Sequence, residues 1–268
     1  MGHDGRMHAE PGVGVRPRAP VEERTGEDVT PAPEPRDSDR RRHGYLPATS
    51  FRSRRSALSD AQRQTWERLW PRLGISEIPG RVEPLDTRAW FGRDAPVVLE
   101  IGCGSGTSTL AMAKDEPGVD VIAVEVYRRG LAQLLSAIDR EEVGNIRLIR
   151  GNAVDVLQYL IAPGSLSGVR VFFPDPWPKA RHHKRRFLQP STIDLIADRL
   201  LPGGVLHAAT DHPGYAEQIA RDGDAEPRLR RVEPGDRMPV SIVRPTTKYE
   251  TKAQEAGSAV TELIWLRR

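Results

Sequence analysis

From Val97 onward, short apolar runs alternate with segments of helical periodicity, and this alternation limits the possible fold more than any other feature of the chain. The apolar runs occupy residues 97–101, 119–126, 146–149, 169–173 and 205–209. The intervening helical patterns occupy residues 107–114, 128–141, 154–161 and 190–201. Short apolar runs separated by helices are typical of parallel strands joined by crossover connections. The pattern therefore predicts a doubly wound, mostly parallel α/β sheet.

The carboxyl-terminal part departs from this alternation. Residues 228–232 and 261–266 have the composition of strands, but no crossover helix is apparent between them. Because a parallel pair needs a crossover connection, these two strands are expected to pair antiparallel at one edge of the sheet.

A further helix is predicted ahead of the alternating region. Leu58–Trp70 has helical periodicity, with Ser59 as its N-cap, Gln62 three residues later and Pro71 as its end. We expect the helix to pack on the domain edge through one apolar face, which consists of Trp66, Leu69 and Trp70.

The amino-terminal region differs in composition from the rest of the chain. Residues 1–45 contain no Leu, Ile, Phe or Trp, so they cannot bury enough apolar surface to offset the entropy lost on ordering. We predict a disordered tail over residues 1–47 and a folded domain over residues 48–268. The formal net charge of the whole chain is +3, which is too small to indicate a nucleic-acid partner by itself.

The chain lacks the sequence features of membrane and secreted proteins. No stretch approaches the roughly 20 apolar residues of a transmembrane helix, and the amino terminus lacks the apolar segment of a secretory signal. We therefore expect a soluble cytoplasmic protein with no membrane partner. The only cysteine, Cys103, has no partner for an internal disulfide, so redox chemistry is not expected.

A glycine loop, Glu100-Ile-Gly-Cys-Gly-Ser-Gly106, follows the first strand of the alternating region. Such a turn lets the backbone approach a nucleotide ligand closely. Two cofactors compete for it, a nicotinamide dinucleotide and S-adenosylmethionine. The dinucleotide fingerprint GxGxxG requires glycine at position 107, which is Thr107, whereas the glycines here are Gly102, Gly104 and Gly106. This spacing favours S-adenosylmethionine.

Three polar residues at predicted strand ends strengthen that preference. Glu100 would repel a pyrophosphate, but it suits the ammonium and sulfonium charges of S-adenosylmethionine. Glu125 ends the second strand of the alternation, where a carboxylate can accept hydrogen bonds from ribose hydroxyls. Asn152 follows the third, and its amide can pair with the edge of an adenine. Taken singly, Glu125 and Asn152 are equally well explained as ordinary polar residues at strand ends.

The most informative stretch is Val171-Phe-Phe-Pro-Asp-Pro-Trp-Pro-Lys179. Asp175 falls just past the fourth strand of the alternation, at the edge where doubly wound sheets bind their ligands. Three prolines in this stretch each fix a backbone φ. We therefore expect a stiff loop that presents Asp175 and Trp177 in fixed positions.

These features together resemble the bacterial tRNA (guanine-N7)-methyltransferases, a Rossmann-like, S-adenosylmethionine-dependent family with the class I methyltransferase fold. The resemblance covers roughly residues 48–268. It rests on EIGCGSG at 100–106, AVEV at 123–126, GNA at 151–153, FPDPWPKARHHKRR at 173–186, ATD at 209–211 and TKYE at 247–250. The long motif at 173–186 is peculiar to this family. Two departures are Asn152, where the family often has Asp, and the tail before residue 48.

The resemblance implies transfer of a methyl group from S-adenosylmethionine to N7 of a guanine in the variable loop of tRNA, with Asp175 at the catalytic centre. It implies that the cofactor is bound by Glu100, Gly102, Gly104, Gly106, Glu125, Asn152 and Asp175. It implies that the substrate is bound by Lys179, Asp211, Thr247, Lys248, Tyr249 and Glu250. Lys248 and Glu250 are alternatively explained as an ion pair on an edge strand.

The chemistry of this reaction needs positioning more than acid–base catalysis. Guanine N7 has a lone pair and no proton at neutral pH, so it can attack a methyl group without a general base. Asp175 or Asp211 can accept hydrogen bonds from guanine N1 and the exocyclic amine, and the sequence does not choose between them. A guanine inside folded tRNA must also be exposed, which can require pulling it out of its stack.

A basic run continues directly from the Asp175 loop. Because of that position, we expect it to contact phosphates beside the target base. The expected RNA-binding residues are Arg181, His182, His183, Lys184, Arg185 and Arg186. The two histidines lack the cysteine or acidic companions of a metal site, so no metal is expected.

Three alternative functions remain open at this point. The first is a methyltransferase of the same fold with a different substrate, and the second is an RNA-binding protein that keeps the fold without catalysis. Cofactor binding without methyl transfer would distinguish the second. An NAD-dependent oxidoreductase is less favoured because of Thr107.

Overall fold

An eight-stranded sheet forms the centre of the described part of the chain. The computed structural model describes Met1 and residues 57–76, 83–245 and 259–268. The strands in these residues are β1 (Gly74–Ile75), β2 (Val97–Ile101), β3 (Asp120–Glu125), β4 (Ile146–Arg150), β5 (Leu166–Phe172), β6 (Leu200–Thr210), β7 (Leu229–Arg231) and β8 (Thr261–Arg267). Their order across the sheet is β1-β4-β3-β2-β5-β6-β8-β7.

The pairing of the strands confirms the predicted fold class. Neighbours from β1 to β6 pair in parallel, whereas β8 pairs antiparallel with both β6 and β7. The chain proceeds from β2 through β3 to β4 on one side and then crosses back to β5 on the other side of β2. The strand order therefore reverses between β2 and β5, and such a switch point opens a crevice at the carboxyl ends of the strands.

Two predicted features lie outside the described residues. The first is the tail over residues 1–47, of which only Met1 is described, together with its boundary at residue 48. The second is the motif Thr247–Glu250.

Helices pack against both faces of the sheet. They are α1 (Asp60–Leu73), α2 (Thr87–Phe91), α3 (Thr107–Asp115), α4 (Arg128–Glu141), α5 (Ala153–Asp155), α6 (Pro190–Arg199) and α7 (Pro213–Asp224). A π-helical turn, Val156–Leu160, continues α5, and a 3₁₀ segment, Ala180–Arg185, precedes α6. Among the described residues, no helix combines the length and apolar composition needed to cross a membrane.

The structure agrees closely with the central predictions and adds elements at the sides. Helix α4 has the predicted bounds, whereas β1, α2 and α7 are additional elements. Helix α7 buries Tyr215 and Ile219 on one face. Pro213 suits its place at the first position of the helix, whereas Gly214 and Gly223 have low helix propensity and weaken the helical pattern of the sequence.

The predicted end of α1 is wrong, because the helix continues through Pro71 to Leu73. Pro71 cannot donate a hydrogen bond to the preceding turn, but Trp70 and Leu73 are buried beside it and hold the last turn in place. The predicted start is confirmed, since Ser59 and Gln62 form a reciprocal capping box. The predicted apolar face is also buried.

Two apolar clusters hold the sheet on its opposite faces. One packs α1 and α4 on the β3–β4 side and includes Leu131 and Leu148. The other includes Leu99 and Ile196, from β2 and α6. Burying one such side chain fully contributes about 1.5–3 kcal/mol. The strand ends at the switch point are therefore anchored by extensive packing.

Candidate active site

A cavity of about 220 Å³ opens at the carboxyl ends of the central strands. Its lining comes from the last residues of β2, β3 and β5 and from the residues that follow β2, β3, β4 and β5, and it includes Gly102, Glu125, Asn152, Asp175, Trp177 and Arg185. The cavity thus lies at the switch point between β2 and β5. It brings together four of the predicted cofactor residues, one from each of four separate motifs.

The glycine loop reaches the cavity with backbone conformations that suit glycine. Gly102 and Gly104 have φ values of 73° and 57°, in the left-handed region. Helix α4 packs so closely on the loop that a Cβ at Gly130 would lie 2.2 Å from the carbonyl oxygen of Gly104. Gly106 caps the amino terminus of α3. Among the described residues of the loop, Gly102 lines the cavity, while Gly104 and Gly106 shape the turn behind it.

Glu125, the last residue of β3, connects this strand to the glycine loop. Its Oε2 accepts a hydrogen bond from the N–H of Gly104 at 3.0 Å. Its Oε1 accepts from the N–H groups of Val126 at 2.7 Å and Tyr127 at 3.0 Å. A carboxylate has about four acceptor positions, so this side chain can fix the loop and still accept a hydrogen bond from a ligand hydroxyl.

Asn152 has a structural role in addition to its place in the cavity. Its Oδ1 accepts a hydrogen bond from the N–H of Val154 at 2.9 Å and caps the short helix α5. The preceding residue, Gly151, donates its N–H to the carbonyl oxygen of Glu125 at 3.2 Å. The side chain is therefore held in one orientation at the cavity wall.

Glu100 is buried beneath the loop, outside the described lining of the cavity. Its Oε1 accepts a hydrogen bond from Thr109 Oγ1 at 2.9 Å, and its Oε2 is buried without a partner among the described residues. Burial raises its pKa to about 7, although the charge of Arg170 and the Thr109 hydrogen bond both lower it. Glu100 is therefore not part of this lining, and its expected contact with the cofactor stays a prediction.

Two strained residues flank Asp175 in its loop. Phe173 has φ of 50° and Trp177 has φ of 42°, and this region costs a non-glycine residue about 1–3 kcal/mol. The Phe173 N–H donates to the carbonyl oxygen of Ala209 at 2.8 Å, which ties the loop to β6. Asp175 itself is exposed at the cavity. The loop thus fixes the position of Asp175 through two residues that have unfavourable backbone conformations.

The basic run forms the 3₁₀ segment and stacks partly on the same loop. The guanidinium of Arg185 lies 5.0 Å from the ring centre of Trp177 and also lines the cavity. His182 packs edge-on against Trp177 at 5.9 Å. Partial desolvation, together with the surrounding cations, lowers the pKa of His182. Arg181 and Lys184 are exposed, and His183 is half-buried.

Arg186 does not fit the role expected from the sequence. It is 2% exposed, and its guanidinium donates to the carbonyl oxygens of Pro176 at 2.8 Å and Gly214 at 3.3 Å. It also donates to Gln218 Oε1 at 2.6 Å and lies 4.7 Å above the ring centre of Tyr215. These contacts tie the Asp175 loop to α7 and leave little surface for a phosphate.

The remaining predicted substrate residues lie around the cavity or beyond the described chain. Lys179 and Asp211 are both exposed, and neither belongs to the described lining. Asp211 directly follows β6. Within residues 57–76, 83–245 and 259–268, no group of three or more His, Cys, Asp or Glu side chains is arranged to hold a metal ion.

Cys103 lies in the glycine loop as a half-buried side chain. Burial and the nearby charges of Glu100 and Glu125 raise the pKa of its thiol well above the ordinary value. Since the thiolate is the nucleophilic form of cysteine, this side chain is a poor nucleophile at neutral pH.

The lining of the cavity includes three aromatic residues that the sequence interpretation did not assign to the site. Tyr127 follows Glu125 by two positions, Phe172 ends β5, and Phe187 follows the basic run. For Tyr127 and Phe172 a usable signal existed, because each lies at or just past the end of a predicted strand. Phe187 carries no such signal, since its place depends on how the basic run folds back.

Comparison with known proteins gives consistent results. A protein-family model described as "Putative methyltransferase" matches residues 94–263. A tRNA (guanine-N(7)-)-methyltransferase of Mycobacterium avium (strain 104) is 70% identical over 273 residues, which cover 100% of both chains. The protein of that name from Mycobacterium ulcerans (strain Agy99) is 66% identical over 100% of both chains. The one from Mycobacterium tuberculosis (strain ATCC 25177 / H37Ra) is 68% identical, over 99% of this chain and 95% of its own.

Proposed function

The chain belongs to the tRNA (guanine-N(7)-)-methyltransferase family, and we propose that the cavity at the switch point of its sheet is the catalytic centre. The chain is an enzyme that transfers a methyl group from S-adenosylmethionine to N7 of a guanine in tRNA. One observation carries the proposal for the site. A single cavity is lined by Glu125 and Asn152 from the cofactor motifs and by Asp175 from the long family motif.

The residues of the cavity fit S-adenosylmethionine. Glu125 offers a carboxylate at the end of β3 for the ribose hydroxyls, and Asn152 offers an amide after β4 for the adenine. Glu100 lies buried under the glycine loop, and its Oε2 has no partner among the described residues, so it can accept a hydrogen bond from the ammonium group of the cofactor. When bound, S-adenosylmethionine supplies the methyl group. The bond between this methyl group and the sulfonium sulfur breaks, and the sulfur keeps the bonding electrons.

Asp175 acts on the guanine in this proposal. Its carboxylate accepts hydrogen bonds from guanine N1 and the exocyclic amine, which orients the ring and leaves N7 free to attack. The guanine ring gains positive charge as N7 is methylated, so a nearby carboxylate also stabilises the transition state. Asp175 is favoured over Asp211 for this role, because Asp175 lines the cavity and Asp211 belongs to the exposed surface after β6.

The exposed cations of the basic run bind the tRNA backbone in this proposal. Lys179, Arg181 and Lys184 are exposed beside the Asp175 loop, so phosphates next to the target guanine can reach them. Arg185 lies between this surface and the cavity and contacts the nucleotide that enters it. Arg186 instead supports the loop from behind.

We also propose the variable-loop guanine as the target and the cytoplasm as the place of action. The first follows from the resemblance carried by residues 173–186. The second follows from the tRNA substrate of the enzyme family. The motif Thr247–Glu250 would complete the substrate site, as the same resemblance implies.

Product analysis tests the proposed function directly. The purified chain is incubated with methyl-labelled S-adenosylmethionine and unmodified tRNA, and the labelled nucleoside is identified after digestion. We expect N7-methylguanosine, and mapping of the labelled fragment is expected to locate it in the variable loop. A tRNA that already carries this modification is the matched control and should accept no label.

Two outcomes of that experiment would contradict the proposal. A different labelled nucleoside would mean that the cavity positions another atom for attack. Binding of both cofactor and tRNA without any labelled product would instead support an RNA-binding protein without catalysis.

A further inference from the structure

Residues 232–245, which follow β7, cross one face of the sheet, and Arg244 lies near the end of this crossing. Val240 packs on Val98 of β2 and approaches Gly168 of β5 so closely that an added Cβ would lie 3.1 Å from it. Ser241 donates its N–H to Glu116 Oε1 at 2.7 Å. These contacts hold the crossing against the sheet ahead of Arg244.

The guanidinium of Arg244 covers the base of the Asp175 loop. Its Cζ lies 5.5 Å from the ring centre of Phe172 and 5.1 Å from that of Phe173. Phe172 ends β5, and Phe173 is the strained residue two positions before Asp175. The side chain of Arg244 is only 2% exposed, so this stacking occurs in the interior.

Two strands hold the guanidinium in that position. Nη2 of Arg244 lies 2.9 Å from Oε1 of Glu262 on β8, and Nε2 of His207 on β6 lies 2.9 Å from Oε2 of the same carboxylate. Hydrogen bonds from His207 and Arg244 lower the pKa of Glu262 to about 2, so it is ionised at neutral pH. His207 also packs edge-on against Phe172 at 4.9 Å.

We propose that Arg244 is a positioning residue that keeps Phe173 in its left-handed conformation and thereby fixes where the loop presents Asp175. A non-glycine residue stays in that conformation only when its surroundings enforce it. Here the N–H of Phe173 is bound to Ala209, and its ring is covered by Arg244. Arginine suits the position because its planar group can stack on the rings and donate to Glu262 together.

This inference rests on the proposed role of Asp175, and three variants test it. Arg244→Met removes the charge and the planar group, whereas Arg244→Lys keeps the charge. Arg230→Met is the matched control, because Arg230, on the edge strand β7, also forms an arginine–carboxylate pair, in this case with Asp236. The readouts are kcat, the KM of each substrate, and hydrogen exchange of residues 171–177 against residues 97–101.

For Arg244→Met we expect kcat to fall by about ten- to a hundredfold, since small misplacements of a positioned group have effects of this size. The KM for S-adenosylmethionine should stay within about twofold, because the cofactor residues are untouched. Exchange should accelerate in residues 171–177 and stay unchanged in residues 97–101. Arg244→Lys should recover part of kcat, and Arg230→Met should resemble the wild type.

Two results would overturn the inference. One is a kcat of Arg244→Met close to the wild-type value. The other is faster exchange spread equally over β6 and β8, with kcat reduced only in proportion to the folded fraction. Asp175→Asn separates this test from the proposed function. If that variant kept wild-type turnover, the proposed role of Asp175 would fail, and exchange of residues 171–177 alone would decide whether Arg244 holds the loop.

Discussion

The cavity has two sides that are built by different means. The cofactor side, defined as residues 100–106 with Glu125 and Asn152, is held by backbone N–H groups that donate to side-chain oxygens and by glycines with positive φ. The substrate side, defined as residues 172–186, holds two non-glycine residues with positive φ by means of prolines, ring stacking and guanidinium groups. A common fold can supply the first arrangement, whereas the second depends on particular side chains.

The two sides also differ in charge. The cofactor side contains Glu100 and Glu125, whereas residues 172–186 contain a single acid, Asp175, among five lysines and arginines. A cationic cofactor and a polyanionic RNA are therefore attracted to opposite sides of one cavity. Substitutions on each side test whether one side binds the cofactor and the other binds the tRNA.

The largest effect is expected for Asp175→Ala, which removes the one acid of the substrate side. We expect kcat to fall by about 10²–10³-fold, as for other groups that stabilise charge in a transition state. The affinity for tRNA and for S-adenosylmethionine should change far less, because the loop positions the guanine rather than supplying bulk affinity. Steady-state kinetics with each substrate varied in turn would measure this.

Asp94→Ala is a suitable control, because Asp94 is a highly exposed acid paired only loosely, at 3.8 Å, with Arg88. It should leave all constants unchanged. If Asp175→Ala weakened cofactor binding as much as turnover, the assignment of Asp175 to the substrate side would be wrong.

A second effect concerns Glu100 and the pH dependence of stability. Because burial raises its pKa from 4.5 to about 7, the folded chain binds this proton more tightly than the unfolded chain does. The contribution of Glu100 to the free energy of unfolding is therefore present at low pH and is lost as the pH rises from 4.5 to about 7. Glu100→Gln should gain stability relative to wild type across this interval, by about 3 kcal/mol.

Denaturant unfolding of both proteins at several pH values would measure that difference. Glu141→Gln is the control from an exposed ion pair with Lys114 and Arg140, and it should show no gain with rising pH. Parallel pH profiles for wild type and Glu100→Gln would mean that Glu100 is ionised in the folded chain throughout.

The smallest effect is expected for tRNA binding by the exposed cations. Replacing Lys179, Arg181 and Lys184 together with Ala should flatten the log–log salt dependence of tRNA affinity by about two units, if each contacts one phosphate. Arg186→Ala should leave this slope unchanged and lower stability instead, because its guanidinium is bonded inside the protein. Filter binding over a range of salt concentrations would give the slopes.

Two controls sharpen this comparison. A triple substitution of Arg68, Lys114 and Arg140, which are exposed cations of α1, α3 and α4, should keep the wild-type slope. Deletion of residues 1–45 should do the same, since acids and bases nearly balance there. If the slope depended on the tail and not on the substrate side, the RNA contacts would lie in the amino-terminal region, and the proposed RNA-binding surface would be wrong.

Much of the cofactor side could be predicted from the sequence, because its geometry follows from local rules. The apolar period of a parallel strand marks each strand end, and the ligand-binding residues directly follow those ends. This is why Glu125, Asn152 and Asp175 meet in one cavity as expected. Glu100 differs because the last residues of β2 alternate in direction, and its side chain points beneath the loop into buried surroundings.

The substrate side could be predicted less well, because long-range contacts decide its details. Arg185 and Arg186 look alike in sequence, yet the first stacks on Trp177 and the second is buried against Gln218, 32 residues later. Arg244 lies about 70 residues beyond the loop that it covers, and no local period marks it. Pro71 was a poor guide to the end of α1 for the same reason, since burial of its neighbours outweighs one missing N–H.

The raised pKa of Cys103 has a practical consequence. Very little of this thiol is ionised near neutral pH, so maleimides and iodoacetamides should react with it slowly. Because the chain has no other cysteine, one introduced at an exposed position such as Arg181 or Asp94 would take up a fluorophore or spin label selectively. A variant with one such added cysteine can therefore be labelled at a chosen site while its cofactor loop is left intact.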